Sequence, residues 1–252
     1  MPRRARWAAA LLLACLALAA CGKKGPVVAP ERRLPQAPAD LKASVEEDAL
    51  VLTWHNPTAR VDNSRLRDLS LLRLHRRDVA EGVEPKPALL SRGQVVGYDE
   101  VAQIRLDSPA PAVIQGGTTR WEDRKGLGVN KRYVYVVTAE DSLSRSSPPS
   151  ERLVTYFLAP PRAPRGVSVT AGDHQATIRW EAPTELTDGG PTTGELRFVI
   201  LRGPGGEGPL APVTPSPVAG TTYTDTGLEN DTEYRWAVRA VRMDPRAQAT
   251  GP

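Results

Sequence analysis

The sequence predicts an all-β protein: two β-sandwiches in tandem behind a leader and a proline-rich spacer. Two observations carry this. Beyond about residue 37, short apolar runs of period two alternate with Pro, Gly, Ser and Asp turns, and no stretch sustains a helical period. A pattern roughly a hundred residues long also occurs twice.

The chain opens Met1-Pro2-Arg3-Arg4-Ala5-Arg6 and continues in Ala and Leu from Trp7 to Ala20. Three arginines before a short apolar core read as a secretory signal peptide over 1–20. The run is shorter than the roughly 20 residues that a membrane-spanning helix needs. It ends Leu18-Ala19-Ala20-Cys21, which resembles the lipobox of bacterial lipoproteins. That resemblance implies cleavage before Cys21, diacylglycerol on its sulfur and acylation of the new amino terminus. Two or more acyl chains give stable attachment, at about 0.8 kcal/mol for each buried methylene. Lys23 and Lys24 then lie beside the headgroups. Gly22 stands where an aspartate retention signal is absent, which by analogy with enterobacterial sorting favours the outer over the inner membrane.

Without residues 1–20 the balance of 33 basic to 29 acidic residues becomes 30 to 29, because three arginines leave. The basic pI is thus largely a targeting signal, and no nucleic-acid partner is expected. Cys15 leaves with the leader and Cys21 carries lipid, so no cysteine is left for a disulfide or a thiolate metal site.

Residues 21–36 form the expected tether. "GPVVAPERRLPQAP" carries four prolines and predicts an extended spacer about 40 Å long. The opening Cys21-Gly22-Lys23-Lys24-Gly25-Pro26 is also similar to the mature start of small lipoproteins that accompany the lipopolysaccharide translocon.

The first copy is placed at 37–160. In "ALVLTWHNP", Leu50, Leu52 and Trp54 share one face. In the second copy, placed at 161–252, Ala176, Ile178 and Trp180 take the same places in "QATIRWEAP". Each tryptophan is followed three residues later by proline, Pro57 or Pro183, which stops the strand. Later in each copy a leucine precedes a tyrosine by six: Leu127 and Tyr133, Leu228 and Tyr234. Tyr133, Tyr135, Val137 and Ala139 then alternate on one face, as do Tyr234, Trp236, Val238 and Ala240.

These residues resemble the fibronectin type III family, an Ig-like fold: a strand-B tryptophan, a Leu-x5-Tyr entry to strand F, and "DGGPTTG" before strand C. The resemblance implies two seven-strand Greek-key sandwiches with Trp54, Tyr133, Trp180 and Tyr234 in the cores, and tyrosine hydroxyls bonded back to the E–F corners. The first copy departs by an insertion near 79–118, and its tryptophan lies 79 residues before its tyrosine, against 54 in the second. Gln94 to Leu106 alternates enough for a longer C′ strand or a hairpin. "LAPPRAPRG" joins the copies as a short, stiff hinge, and the two are expected to fold independently.

Candidate chemistry is sparse. The histidines are His55, His75 and His174. His55 follows the strand-B tryptophan, His75 sits on the outer face of "LLRLHRR", and His174 lies in an A–B turn. None adjoins a nucleophile motif, and they are too scattered to share a metal. Glu46, Glu47 and Asp48 read as a solvated turn rather than a calcium loop. "GPGGEGP" is Gly-rich but lacks the Gly-Lys-Ser/Thr of a phosphate cradle. Arg73, His75, Arg76 and Arg77 form the main basic cluster, a possible contact for an anionic glycan or lipopolysaccharide. No catalytic residue, metal or cofactor is expected.

The expected function is therefore that of a non-catalytic, envelope-anchored lipoprotein presenting two sandwich modules to an unidentified envelope protein. The alternative is a glycan- or lipopolysaccharide-binding accessory module. One further expectation concerns strand G. "ERLVTYFLAP" supplies it in the first copy, whereas the equivalent of Val154 in the second falls three residues beyond Pro252. Strand F of the second copy is therefore expected to have an exposed edge, with at most a three- or four-residue strand after Met243. A longer chain, a short strand from "AQAT" and a strand donated by a partner all remain open explanations.

Overall fold

A computed structural model describes residues 29–252. The leader, Cys21 and the first part of the spacer lie outside the described residues. Pro30–Arg33 makes one 3-10 turn. Where the spacer is expected to run on extended, Leu34 and Gln36 already bond to the first sandwich: Val61 N–H donates to Leu34 C=O at 2.9 Å, and Gln36 N–H to Ala59 C=O at 3.0 Å.

Residues 34–252 form one unit of seventeen strands. In the first copy they are β1 (Ala39–Glu46), β2 (Ala49–His55), β3 (Leu69–Asp78), β4 (Leu90–Ser91), β5 (Gln94–Val95), β6 (Asp99–Arg105), β7 (Val113–Gln115), β8 (Thr118–Asp123), β9 (Lys131–Asp141) and β10 (Leu153–Phe157). In the second they are β11 (Arg165–Gly172), β12 (Gln175–Glu181), β13 (Glu195–Pro204), β14 (Ala211–Pro212), β15 (Thr222–Thr226), β16 (Tyr234–Asp244) and β17 (Ala247–Thr250).

In the first sandwich, β1-β2-β8-β7 faces β10-β9-β3-β6. In the second, β11-β12-β15 faces β14-β13-β16-β17. With β1, β2, β3, β6, β8, β9 and β10 as strands A, B, C, C′, E, F and G, this is the expected fibronectin type III order. Alternation builds both cores. Leu50, Leu52, Trp54, Leu72, Leu74, Tyr133, Tyr135 and Val137 fill the first. Ile178, Trp180, Phe198, Ile200, Val238 and Ala240 fill the second.

The insertion becomes the β4–β5 hairpin, the C′ strand β6 and the β7–β8 hairpin, so the expected Gln94–Leu106 strand divides at Val96–Tyr98. The β7–β8 turn is Gly116-Gly117, both with positive φ (57° and 80°), which suits a tight two-residue hairpin. The outward residues of β9 are buried as deeply as the inward ones: Val134 and Val136 are both 0% exposed. The insert supplies the cover. Arg132 donates to the carbonyls of Ala80 and Val83, Arg152 donates to Pro85 C=O, and Pro85 and Val95 are themselves buried.

The two sandwiches are not separate beads on a hinge. β17 pairs antiparallel with β16 and, on its other side, parallel with β1, at Val45↔Ala249 and Glu46↔Thr250. One layer of each sandwich therefore joins into a single eight-stranded sheet, β14-β13-β16-β17-β1-β2-β8-β7. Ala249 is fully buried within the core of the first sandwich, and Ala247 packs against it. The last strand of the second copy thus also helps to close the first, which bears directly on the expected independence of the two.

Candidate interaction surfaces

The four aromatic positions singled out in the sequence fall in corresponding places, with one difference. Trp54 is 1% exposed and Trp180 4%. Among the described residues neither indole Nε1–H has an acceptor, so packing holds both. Tyr133 Oη accepts from Gly128 N–H at 2.7 Å, and Tyr234 Oη from Glu229 N–H at 3.3 Å, which forms the two expected corners. Tyr133 is fully buried, whereas Tyr234 is only half-buried.

The basic cluster does not form one exposed patch. Arg73 pairs with Glu100 at 3.1 Å and Glu140 at 3.3 Å. Arg76 turns to the opposite face, pairs with Asp123 at 2.7 Å and lies over the Tyr133 ring, 5.3 Å from its centroid. Tyr135 Oη donates to the same Asp123 carboxylate at 2.7 Å. Burial, the Asp123 charge and that hydrogen bond push the Tyr135 hydroxyl far above its ordinary pKa. His75 shares the outer face with Arg73 as expected but is buried, with its Nε2 3.3 Å from Thr138 Oγ1. Burial lowers its pKa, opposed by Glu100 across the strand and assisted by Arg73. Arg77 is half-buried against the insert at Gly97. The sequence could not show this cover, because the insert returns from some twenty residues away.

His55 is exposed and meets Asp40 at 2.9 Å. His174 is exposed in its turn, bonded through Nδ1 to Leu228 C=O at 2.9 Å. The described residues contain no cluster of metal-ligating side chains.

Each acid of the β1–β2 turn is paired: Glu46 with Arg120, Glu47 with Arg239, and Asp48 with Arg124. The second pair was not anticipated, because it spans 192 residues and ties the sandwiches together at 2.6 Å. It belongs to a junction of several parts. Glu47 N–H donates to Thr250 C=O at 2.9 Å and Thr187 N–H to Pro160 C=O at 2.9 Å. Arg246 lies over the Tyr156 ring at 5.5 Å. The Pro161 carbonyl leaves no room for a side chain at Gly251. Beside the junction lies an open cleft of about 560 Å³, lined by Val129, Phe157, Pro160 and Pro252 with Glu47 and Arg124 at its rim.

A second groove, of about 250 Å³, runs beside β16 in the second sandwich. Val169, Ala171, Ala176, Leu228, Tyr234 and Trp236 line it. Every residue of β11 along this side is exposed, Val167 at 43% and Val169 at 45%. The short strand expected after Met243 is present as β17. The expected open edge is closed at Val241–Asp244, since β17 and then β1 continue the sheet there.

Among known proteins, no family model matches the chain. It is 30% identical over 153 residues to an exoglucanase B of Cellulomonas fimi, a stretch covering 58% of this chain and 12% of that one. The chain thus spans about an eighth of that relative's length. Among solved structures it is similar to the crystal structure of the chicken CNTN1 FN1–FN3 domains. The TM-score is 0.41 at 16% identity, over 92% of this chain and 72% of that one. By its own strand order the chain is a tandem of two β-sandwiches, each with a tyrosine hydroxyl bonded back to its corner.

Proposed function

We propose that this protein is a non-catalytic, lipid-anchored module of the bacterial cell envelope that presents two coupled β-sandwiches to a protein partner. The observation that carries the reading is the eight-stranded sheet through both copies. With Val45 and Ala249 on adjacent strands and Glu47 bonded to Arg239, surfaces of the two sandwiches are offered at a fixed spacing. Function on such a fold resides in surfaces rather than in a shared catalytic centre. The leader and Cys21 support anchoring through lipid, and Gly22 favours the outer membrane. The glycan or lipopolysaccharide alternative draws less support. Of Arg73, His75, Arg76 and Arg77, the cluster it would use, Arg73 and Arg76 are engaged by carboxylates and His75 is buried, which leaves the half-buried Arg77.

Expression in a Gram-negative host, with mass spectrometry of the mature amino-terminal peptide, tests the anchor. A triacylated Cys21 is expected, and an unmodified first residue other than Cys21 would refute it. Crosslinking in intact envelopes, followed by affinity capture, tests the partner class. A defined protein adduct is expected. Retention on murein or lipopolysaccharide without protein would favour the alternative.

A further inference from the structure

The chain enters the first sandwich at one pole. Leu34 C=O accepts from Val61 N–H and Gln36 N–H donates to Ala59 C=O, so the loop between β2 and β3 receives the spacer. The loop is folded back on itself: Arg60 N–H donates to Ser64 C=O and Asn63 N–H to Arg60 C=O, both at 2.8 Å. Arg65 and Arg67 follow, both exposed, on either side of the buried Leu66. Among the described residues neither guanidinium has an ion-pair partner. The β9–β10 loop completes the pole. Ser142 N–H donates to Asp68 C=O at 2.8 Å, which brings their sequence neighbours Leu143 and Arg67 to the same edge. Leu143 is 68% exposed, more than any other large apolar side chain among the described residues. Asp141 fixes its turn: the carboxylate accepts from the Leu143 and Arg145 N–H groups, both at 3.0 Å, and from Arg60 at 2.7 Å.

The pole thus holds out an exposed leucine and two arginines on fixed loops. Other charges there offset one another, since Arg60 and Arg145 lie on Asp68 and Asp141, and Asp62 is turned to Ser64. A leucine flanked by arginines suits a surface that is apolar just beneath a negative layer, which is a bilayer of anionic lipid. A glycan offers the leucine no apolar layer. A protein partner needs about 800 Å² of matched surface on each side, whereas a bilayer needs no matched shape. The chain also brings this pole to a membrane. Residues 22–33, at about 3.3 Å each when fully extended, hold it within about 40 Å of an acylated Cys21. Tethering at that range raises the effective concentration, so a weak contact is populated. We infer that the β2–β3 and β9–β10 loops of the first sandwich rest on the anionic bilayer that anchors the chain, with Leu143 at the acyl boundary and Arg65 and Arg67 on lipid phosphates. This rests on the lipid-anchored reading above and specifies which end of the molecule faces the membrane.

The test uses residues 21–252 with Cys21→Ser, so that no acyl chain contributes, and vesicles of phosphatidylethanolamine and phosphatidylglycerol. Cosedimentation should show half-binding at roughly millimolar lipid, and none at the same concentration of phosphatidylcholine vesicles. Arg65→Gln with Arg67→Gln should weaken binding about twentyfold, since each basic residue contributes roughly fivefold on an anionic surface. Leu143→Ser should weaken it about tenfold. All three side chains are exposed, so the fold is retained. Arg165→Gln with Arg179→Gln, exposed on the second sandwich, should leave binding unchanged. A polarity-sensitive dye on Ser144→Cys, then the single thiol, should shift to the blue on the vesicles. No binding, equal binding to phosphatidylcholine, equal loss from the two arginine pairs, or a dye that stays in water would overturn the inference. So would a photocrosslinker at Leu143 that captures an envelope protein instead of lipid in intact cells. Failure of vesicle binding with a triacylated Cys21 would remove the contact and leave the anchor. An unacylated amino terminus would remove the anchor, while the vesicle result still decides the contact.

Discussion

Val45 of the first strand and Ala249 of the last are parallel partners in one sheet, and both are fully buried. Because Ala249 sits in the core of the first sandwich while its strand belongs to the second, damage there is felt by both. Ala249→Asp places an unpaired carboxylate among Val45 and the neighbouring core residues, and removing β17 deletes the buried Ala249 methyl and the half-buried Ala247 methyl. At about 0.8 kcal/mol per buried carbon, loss of these methyls costs the first sandwich about 1 kcal/mol, and the charge costs more. Limited proteolysis of Ala249→Asp should release fragments from both halves. Cleavage confined to residues beyond Pro161 would show that the sheet junction does not couple them.

The tryptophans separate packing from hydrogen bonding. Among the described residues neither Trp54 nor Trp180 Nε1–H has an acceptor, so replacement by phenylalanine forfeits none of the hydrogen bonds described. Trp180 also stacks tilted on Phe198 at 5.2 Å. Trp180→Ala should cost about 3–5 kcal/mol, and Trp180→Phe clearly less, since most of the apolar volume remains. Urea titration read by far-ultraviolet circular dichroism measures both. Equal losses would mean that the indole N–H holds a partner in solution.

Much of this architecture was legible in the sequence, and the limits have physical causes. Trp54, Trp180 and the alternation after Tyr133 and Tyr234 declare the strands, because a half-buried strand must repeat every two residues. Paired outer faces escape that logic. Val134 and Val136 alternate with the core residues and read as solvent-facing, yet the insert buries them. His75 likewise lies on the outer face of its strand and is nonetheless buried. The Glu47–Arg239 pair and the Val45–Ala249 ladder join residues some two hundred positions apart, and no local pattern announces such a register.

Asp141 sets the acid limit of the first sandwich. Its side chain is 0% exposed, and burial alone would raise its pKa. Hydrogen bonds from Arg145 and Arg60, with the Arg145 and Leu143 backbone N–H groups, outweigh burial and lower it from 3.8 to about 2. The folded value lies below the unfolded one. The resulting stability is thus complete above about pH 4 and lost as pH falls toward about 2. It amounts to about 2 kcal/mol. Asp141→Asn should be destabilised at pH 6, and its deficit relative to the natural protein should shrink between pH 4 and 2. A deficit unchanged over that range would remove Asp141 as the titrating group. Asp244, lowered to about 2 chiefly by Arg246, titrates in the same range but is common to both proteins and cancels in the difference.

His75 acts nearer neutrality and in the same direction. It is 1% exposed, and its pKa is lowered from 6.5 by burial, with Arg73 assisting and Glu100 opposing. The folded chain therefore keeps the ring neutral where the unfolded chain protonates it. By linkage, the stability this provides is present above pH 6.5 and is lost as pH falls through the folded value. Val136 and Thr138 beside it in the sheet carry no charge, so Glu100 and Arg73 are the groups that tune it. His75→Gln keeps a partner for Thr138 Oγ1 and cannot titrate. The natural protein should lose stability relative to this variant between pH 7 and 5, by chemical denaturation at matched ionic strength. Arg73→Gln should lessen the effect by removing the charge that disfavours imidazolium. Parallel pH profiles for the natural protein and His75→Gln would mean that folding leaves the pKa of the ring unshifted.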